Sequence, residues 1–300
     1  MNTSLCFPWK IAVATSKAFT LFTNSPAALK LAIAATALFS VAANALAQTC
    51  AGCLDPTFGG GGVVVTATTG PAIGSTEVDS VLQSNGQLVL LMTAANPGTT
   101  IRNSIGRLTA DGNVDTTFGV GGFRDIVWSA PNGGIASTIA IQIVQTGSGP
   151  GERFVIAGGF PCGRNSSCLH IERYTNAGSL DTSFGSNGVS TLDFSPSLCG
   201  SATQSDQKVL FACGDNVARI NSNGSADSSF GKNGISQAKT GLFIRTVTVL
   251  SNDRILGVGE LPKGTNRDFA VARFNANGFR CVALFAERLA RFSRSNKEES

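Results

Sequence analysis

Histidine is nearly missing from this chain: His170 is the only one in 300 residues, beside one tyrosine, two tryptophans and two methionines. A multi-histidine zinc centre is thereby excluded, and a lone histidine between Leu169 and Ile171 reads as a structural residue of a strand. Charge is scarce as well, at 14% of residues. The formal +4 overstates it. Residues 1–47 hold no acid, and removing Lys10, Lys17 and Lys30 from the 23 basic residues leaves 20 against 19 acidic ones. Such a balance leaves no electrostatic footprint for nucleic acid. The chain also lacks a Gly-x-Ser-x-Gly elbow, a phosphate loop and a dinucleotide fingerprint. The glycines Gly59–Gly62 lead into a strand, whereas a phosphate site needs a helix N-terminus. No cofactor is expected.

What is plentiful is apolar surface and glycine: 42% hydrophobic content and 35 glycines, without a collagen period, suit a folded chain of short strands and tight turns. The first 47 residues read as an export signal. Scattered lysines precede the apolar run from Leu31 to Ala43, and Ala45-Leu46-Ala47 supplies small residues for cleavage before Gln48. An uncleaved anchor is the alternative, since 28–47 is about long enough to span a bilayer, but the run is alanine-rich and weakly apolar. Cleavage leaves no membrane span and places the mature chain in the periplasm, at the cell surface or outside.

In that compartment disulfides persist. Seven of the eight cysteines lie after Ala47. Cys199 and Cys213 are equidistant from Asp206, so a hairpin turning there sets them opposite one another; Cys162 and Cys168 flank Gly163–Ser167 with the same symmetry. Cys50 and Cys53, in residues 48–53, have redox-motif spacing without the strand-then-helix setting that activates a thiol, and are expected as a terminal disulfide. Cys281 is left over.

One phrase organises the rest. Leu54-Asp55-Pro56-Thr57-Phe58-Gly59 returns as Val114-Asp115-Thr116-Thr117-Phe118-Gly119, Leu180-Asp181-Thr182-Ser183-Phe184-Gly185 and Ala226-Asp227-Ser228-Ser229-Phe230-Gly231, each with a further glycine close behind. A recurrence at 60, 66 and 46 residues marks stacked similar units, about 54–112, 113–178, 179–224 and 225–278. After each phrase comes a short strand, then a hairpin, clearest around Ser84-Asn85-Gly86 and Ser251-Asn252-Asp253. In the second unit residues 146–151 read as a loose loop between the arms. A fourth strand carries Arg107, Arg173, Arg219 or Arg273 and ends at Gly112, Gly178, Gly224 or Gly278. Four short antiparallel strands per unit, with no helical period, make the fold all-β: a β-propeller of about four four-stranded blades, either a closed small ring or part of a larger one.

The residues of the phrase have distinct expected duties. Asp suits an Asx-type turn, Phe is an apolar anchor between neighbouring units, and the glycines permit positive φ or close approach. The spacing Arg-x7-Asp, followed by x-(Thr/Ser)-Phe-Gly, resembles the delta-60 repeat family, whose repeats are considered to form β-propellers in bacterial envelope and secreted proteins. The resemblance covers about Leu54 to Gly278 and implies fold and location, without a catalytic set.

Asp55, Asp115, Asp181 and Asp227 invite a calcium reading, but one carboxylate per loop favours turn capping. The four arginines are weighed as an anion-binding lining against pairs with the Asp eight residues on, and the pairing is favoured. After Gly278 the pattern breaks: the expected Asp falls on Cys281, and 279–300 is a basic tail, helical or disordered, reading either as a terminal amphipathic helix or as a frame-shifted end. The function expected is a non-enzymatic binding or structural scaffold, with a cell-surface glycan or envelope protein as partner. The alternatives are a propeller enzyme of lactonase or quinone-dependent dehydrogenase type, and a fragment without independent function.

Overall fold

A computed structural model describes residues 52–65, 75–94, 102–128, 134–163, 166–196, 199–238, 241–278 and 280–281. The expected export signal, Cys50 and the tail from 282 onward lie outside the described residues. The chain divides after Pro56 into two units. Of the first only 52–56 are described, and there Cys53 is disulfide-bonded.

Among the described residues the second unit is built of four antiparallel sheets, each of four strands. The first holds β1 (Ser75–Leu82), β2 (Leu88–Ala94), β3 (Arg102–Leu108) and β4 (Phe123–Ile126); the second holds β5 (Ile135–Thr146), β6 (Gly149–Pro161), β7 (Ser167–Thr175) and β8 (Val189–Leu192). The third holds β9 (Cys199–Thr203), β10 (Val209–Cys213), β11 (Asn216–Ile220) and β12 (Ile235–Gln237); the fourth holds β13 (Phe243–Val249), β14 (Ile255–Lys263), β15 (Asn266–Phe274) and β16 (Arg280–Cys281). Within each sheet the strands lie side by side in chain order.

The sheets group the strands in a different phase from the sequence units. The short strand after each phrase pairs backward, with the arginine strand before the phrase, so that β4 lies on β3, β8 on β7 and β12 on β11. The phrase itself enforces this. Asp115 N–H donates to the Arg107 carbonyl at 2.9 Å, Gly122 N–H closes on the Phe118 carbonyl at 2.9 Å, and Arg107 N–H returns to the Gly122 carbonyl at 3.0 Å. The 146–151 segment also differs from its expectation as a loose loop. β5 and β6 continue pairing out to Thr146 and Gly149, leaving Gly147 and Ser148 as a two-residue turn in which Thr146 Oγ1 donates to the Gly149 carbonyl at 2.6 Å.

The apolar core lies between sheets. Val89, Ile105 and Phe118 of the first sheet meet Ile139, Phe154 and Tyr174 of the second. Ala157, Ile171 and Phe184 of the second meet Val209, Phe211 and Ala218 of the third, and Leu210, Ala212 and Phe230 of the third meet Ile244, Ile255 and Phe274 of the fourth. Strand β10 shows why: all five residues are buried, with Val209, Phe211 and Cys213 toward one neighbour and Leu210 and Ala212 toward the other. A central strand alternates with period two, so covering both faces takes two flanking sheets.

Two disulfides tie strands within sheets. Cys199 and Cys213 face one another in the β9–β10 register and are joined, and Cys162 is joined to Cys168 across the β6–β7 turn. The Cys199–Cys213 bridge closes a loop of sequence separation 14. Replacing both cysteines by alanine is expected to lower stability by about 2–3 kcal/mol through greater unfolded-chain entropy. Unchanged chemical-unfolding midpoints for wild type and the double variant would contradict this.

Candidate functional site

Each phrase is also the joint to the next sheet. Phe118, Phe184 and Phe230 are fully buried. Behind each ring stands the glycine that ends the arginine strand's turn in the following sheet, at Gly178, Gly224 and Gly278. The amide of the glycine after Phe donates to the same turn: Gly119 N–H to the Ala177 carbonyl at 3.0 Å, Gly185 to Asn223 at 2.8 Å and Gly231 to Asn277 at 3.1 Å. Phe58 packs likewise on Gly112 of the first sheet, and Gly59 N–H donates to Asp111 at 2.8 Å, but this ring is only half-buried.

The arginines complete the joint. Arg107, Arg173 and Arg219 donate through Nε to Asp115, Asp181 and Asp227 at 2.8, 2.9 and 2.8 Å. Their Nη1 groups reach the next sheet's turn at the carbonyls of Asn176, Ser222 and Ala276. Each guanidinium also lies over the Phe ring of the phrase that follows it, 4.4–4.8 Å from the centroid. A planar fork with five donors can serve a carboxylate, a carbonyl and an aromatic face together, which an ammonium cannot. Glutamines form a second layer that carried no flag in the sequence. Gln142 and Gln204 accept from Arg173 and Arg219 and donate to the carbonyls of Gln207 and Asp253 in the following sheet's hairpin. Gln83 spans from the first sheet to Glu152 and Asn176 of the second. The available signal was Gln-Ser-(Asn/Asp), present at 83–85 and 204–206; nothing marks Gln142.

The Asp side chains sit in Asx turns. Asp115, Asp181 and Asp227 accept through Oδ1 from the hydroxyl and the N–H of Thr117, Ser183 and Ser229. The Thr117 hydroxyl is the main influence holding Asp115 below the usual carboxylate range. For Asp227 burial acts upward, but the Ser229 bonds, Arg219 and Lys208 outweigh it and bring the carboxyl down to about 2. A folded pKa below the unfolded 3.8 stabilises the protein above about pH 4, and that contribution is lost as pH falls toward 2. Asp227→Asn is therefore expected to flatten the acid limb of a stability–pH curve, by on the order of 2 kcal/mol between pH 5 and pH 2. A variant whose acid limb parallels wild type would refute this.

Several concavities lie among the described residues, and two of them fall where strands of neighbouring sheets converge. The first lies among the inner strands and holds about 280 Å3, lined by Asp79–Val81 of β1, Ile139–Ile141 of β5, Gly200–Thr203 of β9 and Thr246 of β13. Its polar groups are tied together: Asp79 Oδ2 accepts from Thr138 Oγ1 at 2.8 Å and from Ile139 N–H at 2.9 Å, and the Thr138 and Ser201 hydroxyls are 2.8 Å apart. Asp79 is the one ionisable side chain in this lining. The second concavity, about 800 Å3, opens on the rim between the outer strands of the second and third sheets, among Thr191, Asp193, Asn216, Lys232, Ser236 and Gln237. Asp215 holds two of these in place, accepting from Asn216 Nδ2 at 2.7 Å and Gln237 Nε2 at 3.0 Å. Among the described residues no group of three or more His, Cys, Asp or Glu is arranged to hold a metal ion. Asp115, Asp181 and Asp227 are turned instead into their own turns and the neighbouring guanidinium.

Sheets packed against one another in chain order, with the first strand of each lining one common cavity, define the class as a β-propeller. A family model described as a domain of unknown function (DUF5122) beta-propeller matches residues 83–118 and 214–230. No curated protein is similar enough in sequence to count as a relative. Among solved structures, a protein of unknown function from Bacteroides caccae matches at 12% identity and TM-score 0.39, covering 70% of this chain and 68% of that one. A glycosyl hydrolase from Bacteroides ovatus matches at 14% identity and TM-score 0.37, covering 70% and 69%. Values this low carry no argument about activity. The four sheets are blades I to IV in chain order.

Proposed function

We propose that this is an exported, non-enzymatic propeller module that binds a hydroxyl-rich polymer of the cell surface, such as an envelope glycan, and presents it on a rigid frame. The observation that supports the reading is the make-up of the axial lining, where Asp79 stands alone among serine and threonine hydroxyls. Hydrolytic acid–base work on glycosides takes two carboxylates with separated roles. A single carboxylate already accepting from Thr138, Ile139 and Ser80 is a structural acceptor. The rim cleft suits the proposed ligand by its mixed amide and hydroxyl lining, which pairs with sugar hydroxyls in both directions. Export is supported by the two disulfides, and among the described residues no helix is long and apolar enough to cross a membrane.

The test is binding of the purified exported chain to an array of bacterial surface glycans, compared with Asp215→Ala. Retention by a defined glycan class, weakened about tenfold or more in the variant, is the expected outcome. Turnover of glycosidic, lactone or alcohol substrates that disappears in Asp79→Asn would replace this reading with an enzymatic one.

A further inference from the structure

Blade IV carries a face that its neighbours do not leave open. In the strand register Leu256 pairs with Arg273 and Val258 with Val271, as Leu210 pairs with Arg219 and Ala212 with Val217 in blade III. The blade III set is covered by blade IV and is at most 4% exposed. The corresponding positions in blade II, Val155, Ala157, Ile171 and Arg173, are equally covered by blade III, at no more than 2%. In blade IV all four are half-buried, and beside them Phe269 is 62% exposed. Arg273 points from the same register position as the three clamp arginines, yet no carboxylate pairs with it among the described residues. Eight residues beyond it stands Cys281 where the other units have Asp.

The opposite half of a joint sits on blade I. In the three made joints the Phe ring that packs on a blade's turn glycine belongs to the phrase of the blade before it. Phe58 occupies that place on Gly112, with Gly59 N–H on the Asp111 carbonyl. Blade I is thus already fitted with the phrase of a preceding blade. Curvature identifies that blade: Asp79–Val81 of β1 and Thr246 of β13 line the same cavity of about 280 Å3 together with β5 and β9, so the first strands of all four blades border one narrow space.

We infer that blade IV closes on blade I of the same chain in a fourth joint, in which Arg273 covers the Phe58 ring and donates to the carbonyl of Ala110. Ala110 precedes Gly112 by two residues, as Asn176, Ser222 and Ala276 precede Gly178, Gly224 and Gly278. The phrase missing after Gly278 is supplied from the other end of the repeats, and the half-buried apolar face is the joint's unfilled half. A second copy fits less well, because a tight axis leaves no arc for further blades, and two blade IV faces together would oppose Arg273 to itself.

The test has two independent readouts on the exported full chain carrying Cys281→Ser. First, Val258→Cys is treated with a maleimide under native conditions, with Ala212→Cys as the covered reference. Closure predicts that both thiols are protected in a monomer and react only on unfolding. Immediate reaction of Val258→Cys, or protection only in a dimer, overturns the inference. Second, Arg273→Ala and Phe58→Ala are combined in a double-mutant cycle. A coupling of about three- to tenfold in the unfolding equilibrium constant is expected for a guanidinium over an aromatic ring. Additive effects of the two changes, in variants that fold, overturn it too.

Discussion

Arg107→Met is expected to destabilise the protein by about 3–5 kcal/mol, because removing one partner of a buried pair strands the other. Arg107 and Asp115 are 6% and 7% exposed, and among the described residues Arg107 is the only cation within bonding distance of that carboxylate. Methionine keeps much of the apolar stem but leaves Asp115 with neutral donors alone, chiefly Thr117 and Gln87. The Asn176 carbonyl of blade II also loses its donor, and the Phe118 face its guanidinium. The same exchange at Arg173 is expected to cost less, about 2–3 kcal/mol, since Arg153 already donates to Asp181 at 3.1 Å and remains. Urea unfolding of the two variants at neutral pH measures both values. If neither midpoint moves, or if Arg173→Met proves the more damaging, the clamps do not carry the joints. Arg107→Lys separates charge from shape: a point charge restores the ion pair without the fork, so only partial rescue is expected.

The second large effect concerns the ring and the glycine behind it. Phe184→Ala empties a fully buried site between blades II and III, for which about 3–5 kcal/mol is expected. Gly224→Ala attacks the same contact from the other side. Gly224 holds φ of +91°, and a Cβ there would stand 2.8 Å from Gly185 N and 2.9 Å from a ring carbon of Phe184. Left-handed backbone and overpacking together are expected to cost about 3 kcal/mol. Because the two changes share one space, they should not add. Removing the ring relieves part of the methyl's clash, while the contact with Gly185 N persists, so the double variant is expected to recover about 1 kcal/mol relative to the sum. Strict additivity in thermal and denaturant unfolding would show that ring and glycine are not packed on one another.

Repetition made the order of strands readable. Four copies of one turn, each preceded by an arginine strand and followed by a hairpin, leave few arrangements other than four-stranded antiparallel sheets. The symmetric placing of Cys199 and Cys213 about Asp206 carried the hairpin register as well, because cross-strand partners are equidistant from their turn. The boundaries of the blades were not readable in the same way. Whether a short strand such as Val189–Leu192 pairs forward or backward depends on the Arg173 carbonyl accepting from Asp181 N–H and on Gly188 receiving Arg173 N–H, neither of which has a sequence signature.

The recurring Asp, Phe, Gly and Arg could be found by eye, but not what each touches. Arg173 bonds Asp181 eight residues on and Ser222 forty-nine residues on, and only the second contact joins two blades. Asp79 and Gln142 lie in alternating strands with no motif around them, and their importance comes wholly from which strand faces them.

Local chemistry thus determined the elements: turns where glycine, asparagine and aspartate accept the needed backbone, strands where apolar residues alternate, and disulfides where symmetry brings thiols level. Tertiary structure alone decided which faces are sealed and which stay open, and where the axial and rim cavities fall. Sealing is a property of two sheets brought together from distant sequence, so similar side-chain patterns on blades III and IV end up buried in one and half-buried in the other.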